Sequence, residues 1–477
     1  MKSYLRKTKI VGTIGPASEN KLEELFEAGL NVCRINYSHG SWDEQSEKSE
    51  TIMRLREEKD LPIPMLLDMK GPEIRTGMLY TGKNTKIQLK DGQKFTLVNE
   101  DITGDEEKVS VTYKELYKDV KPGTKILIDD GAIELKVDEI VGKDIVTTVV
   151  HGNGLGSRKT MNLPGTVIRL PGLAEKDIAD LKTACEHDYD FVAISFARNA
   201  EDINNVRKVL DENGGKDIKI ITKVENVEGL QNLDTIINMA DAQMIARGDM
   251  ATETDFTEPP VVQKRIIKEC NKASKPAITA TQMLESMTHQ PLPTRAEASD
   301  VANAIYDRTS AIMLSGECAQ GDYPVECVKT MVKIANRVEP EINYWKRFDE
   351  KEPVLNTYEE KVAYSACVSA KIMKADAIVC YTHTGNSARN LAGLGAGCPI
   401  LAITDKKRTF RQLALAWNVT PIYVDAQENI DKTVEAGIEK LQNKGIVEKG
   451  DVLVITGGNQ MLPDSTESKT IGGILKI

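Results

Sequence analysis

The stretch IKIITKVENVEGLQNLDTIINMADAQMIARGDM, residues 218–250, opens with a β-branched run that breaks off at a charged corner. A segment of helical periodicity follows, then a second apolar run ending in another charged corner. This alternation predicts a βα unit feeding a parallel strand. Lys223 and Glu225 stand two residues apart where the first run ends, and the period of two along a strand turns both to one face. Asp249 follows at the next strand-to-helix corner.

The same unit recurs on both sides. Strands are expected at residues 9–15, 31–36, 64–70, 191–196, 218–225, 243–249, 276–282 and 310–317, each followed by a helical pattern. Eight consecutive βα units predict a closed (β/α)8 barrel, a TIM barrel of the α/β class. Ser18 is expected to cap the first helix, whose apolar stripe is Leu22, Leu25 and Phe26.

Between the third strand and its helix lie residues 71–170, far more than a βα loop needs. The alternating segments KIQLK, KFTLV, KILIDD, AIELKVDEI and DIVTTVV, separated by DG, PG and GNG turns, predict a small inserted β-barrel placed as a lid. After Pro340 a helix at 358–373 precedes AIVCYT, PILAIT, TPIYV and DVLVITGG, a pattern that predicts an open α/β sheet. The expected domains are a catalytic barrel of residues 1–70 and 171–341, the lid at 71–170, and a C-terminal effector or oligomerisation domain at 342–477.

With 477 residues, 40% apolar and 28% charged, the chain has material for several globular domains. No apolar run is long enough for a membrane span and the start, MKSYLRKTKIVGTIGP, has no apolar leader, so a cytoplasmic enzyme is expected. The eight cysteines form no CxxC or CxxxC pair and are expected to be buried, reduced thiols. A formal charge of −10 disfavours nucleic-acid partners and requires any anionic substrate to meet a local cationic pocket.

The strand ends supply that pocket. A lone KxE is most simply a structural ion pair. Asp249 on the neighbouring strand shifts the balance, because two carboxylates with a lysine beside them can hold one hard cation, and Mg²⁺ typically takes one or two carboxylates. NVCRINYSHG (31–40) places Arg34 and Asn36 on one face, LLDMKGPEIRTG (66–77) ends its strand at Asp68, and TATQM (279–283) ends at Thr281. Polar ends on five of eight strands point to catalysis at the C-terminal face. GxxxxGK[ST], HRD and DFG are absent, so phosphate must be handled by side chains and metal. The glycine runs GNGLG (152–156) and GLGAG (393–397) are expected to be turns.

NVCRINYSHG, LLDMKGPEIRTG, ITKVENVEG, ARGDM, TATQMLESM, PTRAEASDVANA and IMLSGE, in this order, resemble the signatures of the pyruvate kinase family. The resemblance implies a glycolytic transferase moving the phosphoryl group of phosphoenolpyruvate to ADP, with pyruvate and ATP as products. It implies Mg²⁺ (or Mn²⁺) at Glu225 and Asp249, bridging the carboxylate and enolate oxygens of the substrate. Lys223 and Arg34 would contact the transferring group, the N–H groups of Gly248 and Asp249 the substrate carboxylate, and Thr281 the carbon that receives a proton.

Asn36, Ser38, Asp68 and the Met69 carbonyl match a K⁺ site, and Glu73 is the residue type of K⁺-dependent members. Asn36, His39, Arg75 and Lys159 match nucleotide contacts. Ala251, Thr160, Met161 and Arg169 depart from the family pattern around the lid. Thr382, Thr384, Gly385, Asn386 and Ser387 resemble a phosphate-binding effector loop at a helix N-terminus, implying a phosphorylated allosteric effector and a homotetramer. The tail TGGNQMLPDS lacks the Trp and Arg of some effector loops. A metal-dependent lyase sharing the barrel is the competing reading, disfavoured by the insertion and by both arginines.

Overall fold

The strands carrying the polar corners are β1 (Lys9–Thr13), β2 (Val32–Asn36), β3 (Met65–Asp68), β4 (Phe191–Ile194), β5 (Lys219–Lys223), β6 (Ala242–Ala246), β7 (Ala277–Ala280) and β8 (Ala311–Leu314). Their runs are apolar on both faces, as parallel strands covered by helices require. All are parallel and close into one barrel, β1 pairing with both β2 and β8. The computed structural model describes the chain apart from residues 1–4, 39, 83–84, 256, 351 and 462–467 and the side chains of 458–472, which include most of the tail TGGNQMLPDS.

Val11, Val32, Leu66, Phe191, Ile221, Met244, Ile278 and Met313 fill the barrel interior, each contributing about 1.5–3 kcal/mol when large and fully buried. Outside, helix Arg295–Tyr306 starts on a reciprocal cap in which Glu297 N–H donates to Thr294 Oγ1 (3.2 Å) and Thr294 N–H to Glu297 Oε2 (2.7 Å). The first helix departs from expectation. Ser18 precedes a short 3₁₀ turn and caps nothing with its side chain, because its hydroxyl turns back to accept the Gly15 N–H at 3.1 Å.

The insertion forms a seven-stranded sheet running from Ile74–Arg75 through Thr160–Asn162 to Lys108–Ser110. Its edges meet, with Gly77 N–H donating to Ser110 O (2.7 Å) and Thr112 N–H to Arg75 O (2.9 Å), so the sheet curls into a barrel around its own apolar core. GNGLG is not simply a turn, since Gly154–Leu155 pairs with Ile87–Gln88 as a small ladder.

The C-terminal sheet is ordered Val419–Tyr423, Ile400–Thr404, Ala377–Tyr381, Val452–Met461 and Ser468–Lys476, parallel except for the last strand. It is fixed beneath the barrel. Leu415 enters the barrel-interior cluster, Lys9 Nζ donates to Val419 O at 2.6 Å, and Arg411 meets the buried Asp190 at 2.7 Å. All eight cysteines are free thiols, but Cys185 is only half-buried, at variance with the expectation of uniform burial. Among the described residues no helix is long and apolar enough to cross a membrane.

Candidate active site

The barrel's C-terminal mouth gathers charge from adjacent strands. Asn36 and Asp68 are register partners at the ends of β2 and β3. Asp68 is fully buried and lies between two cations: Arg34 Nε at 2.6 Å from Oδ2 and Lys223 Nζ at 2.9 Å from Oδ1. The Lys223 contact is an ion pair without hydrogen-bond geometry, which leaves Oδ1 short of a regular donor. Burial alone would raise the Asp68 carboxyl, but Lys223 and Arg34 outweigh it and hold it below the ordinary range. Lys223, similarly, would be lowered by burial, yet Asp68 and Glu225 keep its ammonium more firmly protonated than a free lysine.

Glu225 Oε1 lies 3.9 Å from Lys223 Nζ, and Oε2 accepts the Phe196 N–H at 2.7 Å. Burial pushes the Glu225 carboxyl well above its usual range, and Asp249 adds to this while Lys223 opposes. Asp249, in the first turn of helix Arg247–Glu253, is likewise pushed up by burial and is close enough to hydrogen-bond Glu225. A buried carboxyl, Glu225, beside one on a residue open to solvent, Asp249, is a donor set that a hard divalent ion could satisfy. Among the described residues no group of three or more His, Cys, Asp or Glu side chains could hold a metal ion.

Thr281, the first residue after β7, sits at φ +66°, and Gln282 follows at φ +52°. A β-branched residue in this region is strained and persists only where its surroundings over-determine it. Arg247 provides that constraint, donating to Ala280 O (3.1 Å) and Thr281 O (2.6 Å) while Asp300 holds it through two bonds of 2.8 and 2.7 Å. Thr281 Oγ1 accepts the Gly248 N–H at 3.0 Å. That donor, expected to face a substrate carboxylate, is thus engaged within the protein.

Around the candidate K⁺ site, Asn36 Oδ1 accepts the Ser38 N–H at 3.0 Å and the Met69 carbonyl accepts Ser195 Oγ at 2.8 Å. A carbonyl keeps a second lone pair. An all-oxygen set of this kind could suit a hard monovalent cation, although Asp68 Oδ1 faces the Lys223 ammonium at 2.9 Å. Glu73 pairs with Arg75 at 2.7 Å and Lys70 at 3.4 Å. Lys159, in the inserted domain, is tied to Asp129 at 2.8 Å. His39 lies outside the described residues.

A cleft between barrel and insertion is bordered by Glu73, Asp130, Thr160, Asp249 and Glu253, and Asn162 Nδ2 crosses it to Glu253 Oε1 at 2.7 Å. Arg169 pairs with Asp119 at 2.7 Å rather than with the barrel. In the C-terminal sheet, Gly385 N–H donates to the buried Thr382 Oγ1, while Arg389 reaches Thr384 O and Asn386 Oδ1 from helix Asn386–Leu394, which contains Ser387.

Four participants escape the sequence reading, two of them as a pair. Arg247 and Asp300 are the pair; their place inside the quoted motifs was the available signal. Asp177 is another, accepting Gly71 N–H (3.2 Å) and Ala174 N–H (2.9 Å) where the chain enters and leaves the insertion. Thr13, which accepts from Arg34 Nη1 at 2.7 Å, is the fourth.

The fold is a closed (β/α)8 barrel whose C-terminal mouth gathers cationic and acidic side chains, the architecture of a barrel enzyme. Residues 5–328 match the family model described as pyruvate kinase, barrel domain, and residues 360–471 that of pyruvate kinase, alpha/beta domain. The chain is 44% identical to a pyruvate kinase of Clostridium acetobutylicum, over 95% of its own length and 96% of the relative's. It is also 44% identical to one of Clostridium perfringens, over 96% and 99%. A solved pyruvate kinase from Cryptosporidium parvum superposes with a TM-score of 0.91 at 35% identity, covering 98% of this chain and 96% of that one. The chain belongs to the pyruvate kinase family and is a phosphotransferase, passing the phosphoryl group of phosphoenolpyruvate to ADP.

Proposed function

We propose that transfer takes place at the mouth formed by β2, β3, β5, β6 and β7, with Lys223 and Arg34 contacting the moving phosphoryl group. The observation that carries this reading is the buried Lys223 ammonium, kept charged by Asp68 and Glu225. A fixed cation there offsets the charge that spreads over the phosphoryl oxygens during transfer. Glu225 and Asp249 would hold Mg²⁺ or Mn²⁺. When bound, such an ion supplies positive charge to the enolate oxygen that the departing phosphoryl group leaves behind.

Thr281 borders the same space. Its hydroxyl accepts from Gly248 and is too weak an acid to act alone near neutral pH, so its part is to orient a water or join a proton relay to the pyruvate methyl carbon. The Asp249 N–H, at the start of its helix, remains the donor suited to the substrate carboxylate. Asn36, Ser38, Asp68 and the Met69 carbonyl would hold K⁺. ADP would be met by Asn36, His39 and Arg75, and by Lys159 once its ammonium leaves Asp129.

The working units would be the catalytic barrel (1–70 and 171–341), the lid (71–170) and a C-terminal domain (342–477). The last would carry a site for a phosphorylated effector at 382–387 and contacts of a homotetramer. The setting would be the cytoplasm, as the final step of glycolysis. Titrating Mg²⁺ against activity in Glu225→Gln and Asp249→Asn tests the metal assignment. Each removes one anionic ligand from a hard cation, so the Mg²⁺ concentration for half activity should rise at least tenfold, about 1.4 kcal/mol. Unchanged curves in both variants would place the metal elsewhere.

A further inference from the structure

Arg34 rises from the interior face of β2 with its side chain only 12% exposed, and two protein contacts fix it. Its Nε donates to Asp68, and its Nη1 donates to the Thr13 hydroxyl at 2.7 Å. Thr13 is its register partner on β1 and is 4% exposed. The same hydroxyl donates to Leu314 O on β8 at 3.0 Å. A hydroxyl has one proton, so with that proton given to Leu314 the oxygen can only present a lone pair to Arg34. The direction of the chain Arg34 to Thr13 to Leu314 is thereby set. Threonine is β-branched and stiff at χ1, which keeps the acceptor in place.

Asp68 alone does not fix the guanidinium, because it is shared with Lys223 and a single bond at Nε leaves the plane free to turn. Two acceptors on different edges, Asp68 at Nε and Thr13 at Nη1, define that plane. Among the described residues Nη2 has no hydrogen-bond acceptor, which leaves it available to a ligand. We propose that Thr13 is a positioning residue for phosphoryl transfer, its hydroxyl locking the Arg34 guanidinium in the orientation that receives the phosphoryl oxygens. This rests on the reading of Arg34 given above and adds a residue on a neighbouring strand that touches no substrate.

The test is steady-state kinetics with phosphoenolpyruvate and ADP for Thr13→Val, Thr13→Ser, Arg34→Gln and the double variant Thr13→Val/Arg34→Gln. Valine matches threonine in shape but strands a buried cationic donor. Phosphoenolpyruvate kcat/KM should therefore fall about 10- to 100-fold, while the KM for ADP changes less than about twofold. Serine restores the acceptor and should hold kcat/KM within about threefold of wild type. The double variant should be no worse than Arg34→Gln by more than about threefold, since both act through one group. Should Thr13→Val not fold, Thr13→Ala with serine rescue reads the same quantity.

Wild-type kcat/KM in Thr13→Val beside an impaired Arg34→Gln overturns the role of Thr13 alone. So do losses that multiply in the double variant, or an equal loss for ADP. Full activity in Arg34→Gln overturns the reading of Arg34, and the role of Thr13 falls with it.

Discussion

Replacing Lys223 by methionine keeps the length of the side chain and removes its charge. Its ammonium stands 2.9 Å from Asp68 and 3.9 Å from Glu225. At an effective dielectric of about 20, unit charges at such separations interact by about 4–6 kcal/mol. A phosphoryl oxygen approaching Lys223 as closely as Asp68 does would lose stabilisation on that scale, equivalent to a fall in kcat of roughly 10³- to 10⁴-fold. Glu225 and Asp249 remain in the variant, so the chemistry at carbon should survive. The expected result in a coupled assay of ATP formation is near-complete loss. In deuterated buffer, proton NMR should still show exchange at the pyruvate methyl. A loss under tenfold would refute the role of Lys223, and exchange lost in step with transfer would refute the separation of the two half-reactions.

The monovalent ion can be tested by exchanging K⁺ for Na⁺ or Li⁺ at matched ionic strength. Activity should depend strongly on K⁺ in the wild type and become partly independent of it in Glu73→Lys, while full activity without K⁺ would remove the site at Asn36, Ser38, Asp68 and Met69. The barrel floor offers a test of stability. Burial at the bottom of β1 lowers the pKa of Lys9 from 10.5 to about 7, with Arg6 and Lys7 adding to the effect and Glu339 opposing it. Between these values the unfolded chain binds more protons than the folded one, so stability should rise with pH from about 7 to 10.5 and be lowest below that window. The gap from 10.5 to about 7 is worth at most about 5 kcal/mol. Lys9→Met should flatten that rise and be no less stable than wild type in urea unfolding near pH 6, and a marked destabilisation there would contradict the cost assigned to the buried charge.

The eight strands were readable because each is a short β-branched run closed by a polar corner, and parallel strands covered on both sides leave that pattern uninterrupted. Lys223 and Glu225 could be placed on one face because strand periodicity is local. What was hidden depends on distant partners. Nothing in KIVGT marks Thr13 as the acceptor for Arg34 until β1 and β2 lie side by side. Asp177 reads as an acidic residue in a first helical turn, and only the return of the chain beneath Gly71 reveals it at the hinge. Ser18 has the sequence context of a cap, but its hydroxyl is taken by the Gly15 turn, a partner that the context does not show. Asp190 and Arg411 are 221 residues apart, and no local pattern links them.

Phosphorus NMR of the purified protein with phosphoenolpyruvate, ADP, Mg²⁺ and K⁺ follows the central claim directly. Phosphoenolpyruvate should disappear and ATP appear one for one, with Lys223→Met blocking both signals together. Loss of phosphoenolpyruvate with release of inorganic phosphate, or pyruvate formed without any requirement for nucleotide, would contradict phosphoryl transfer at this site.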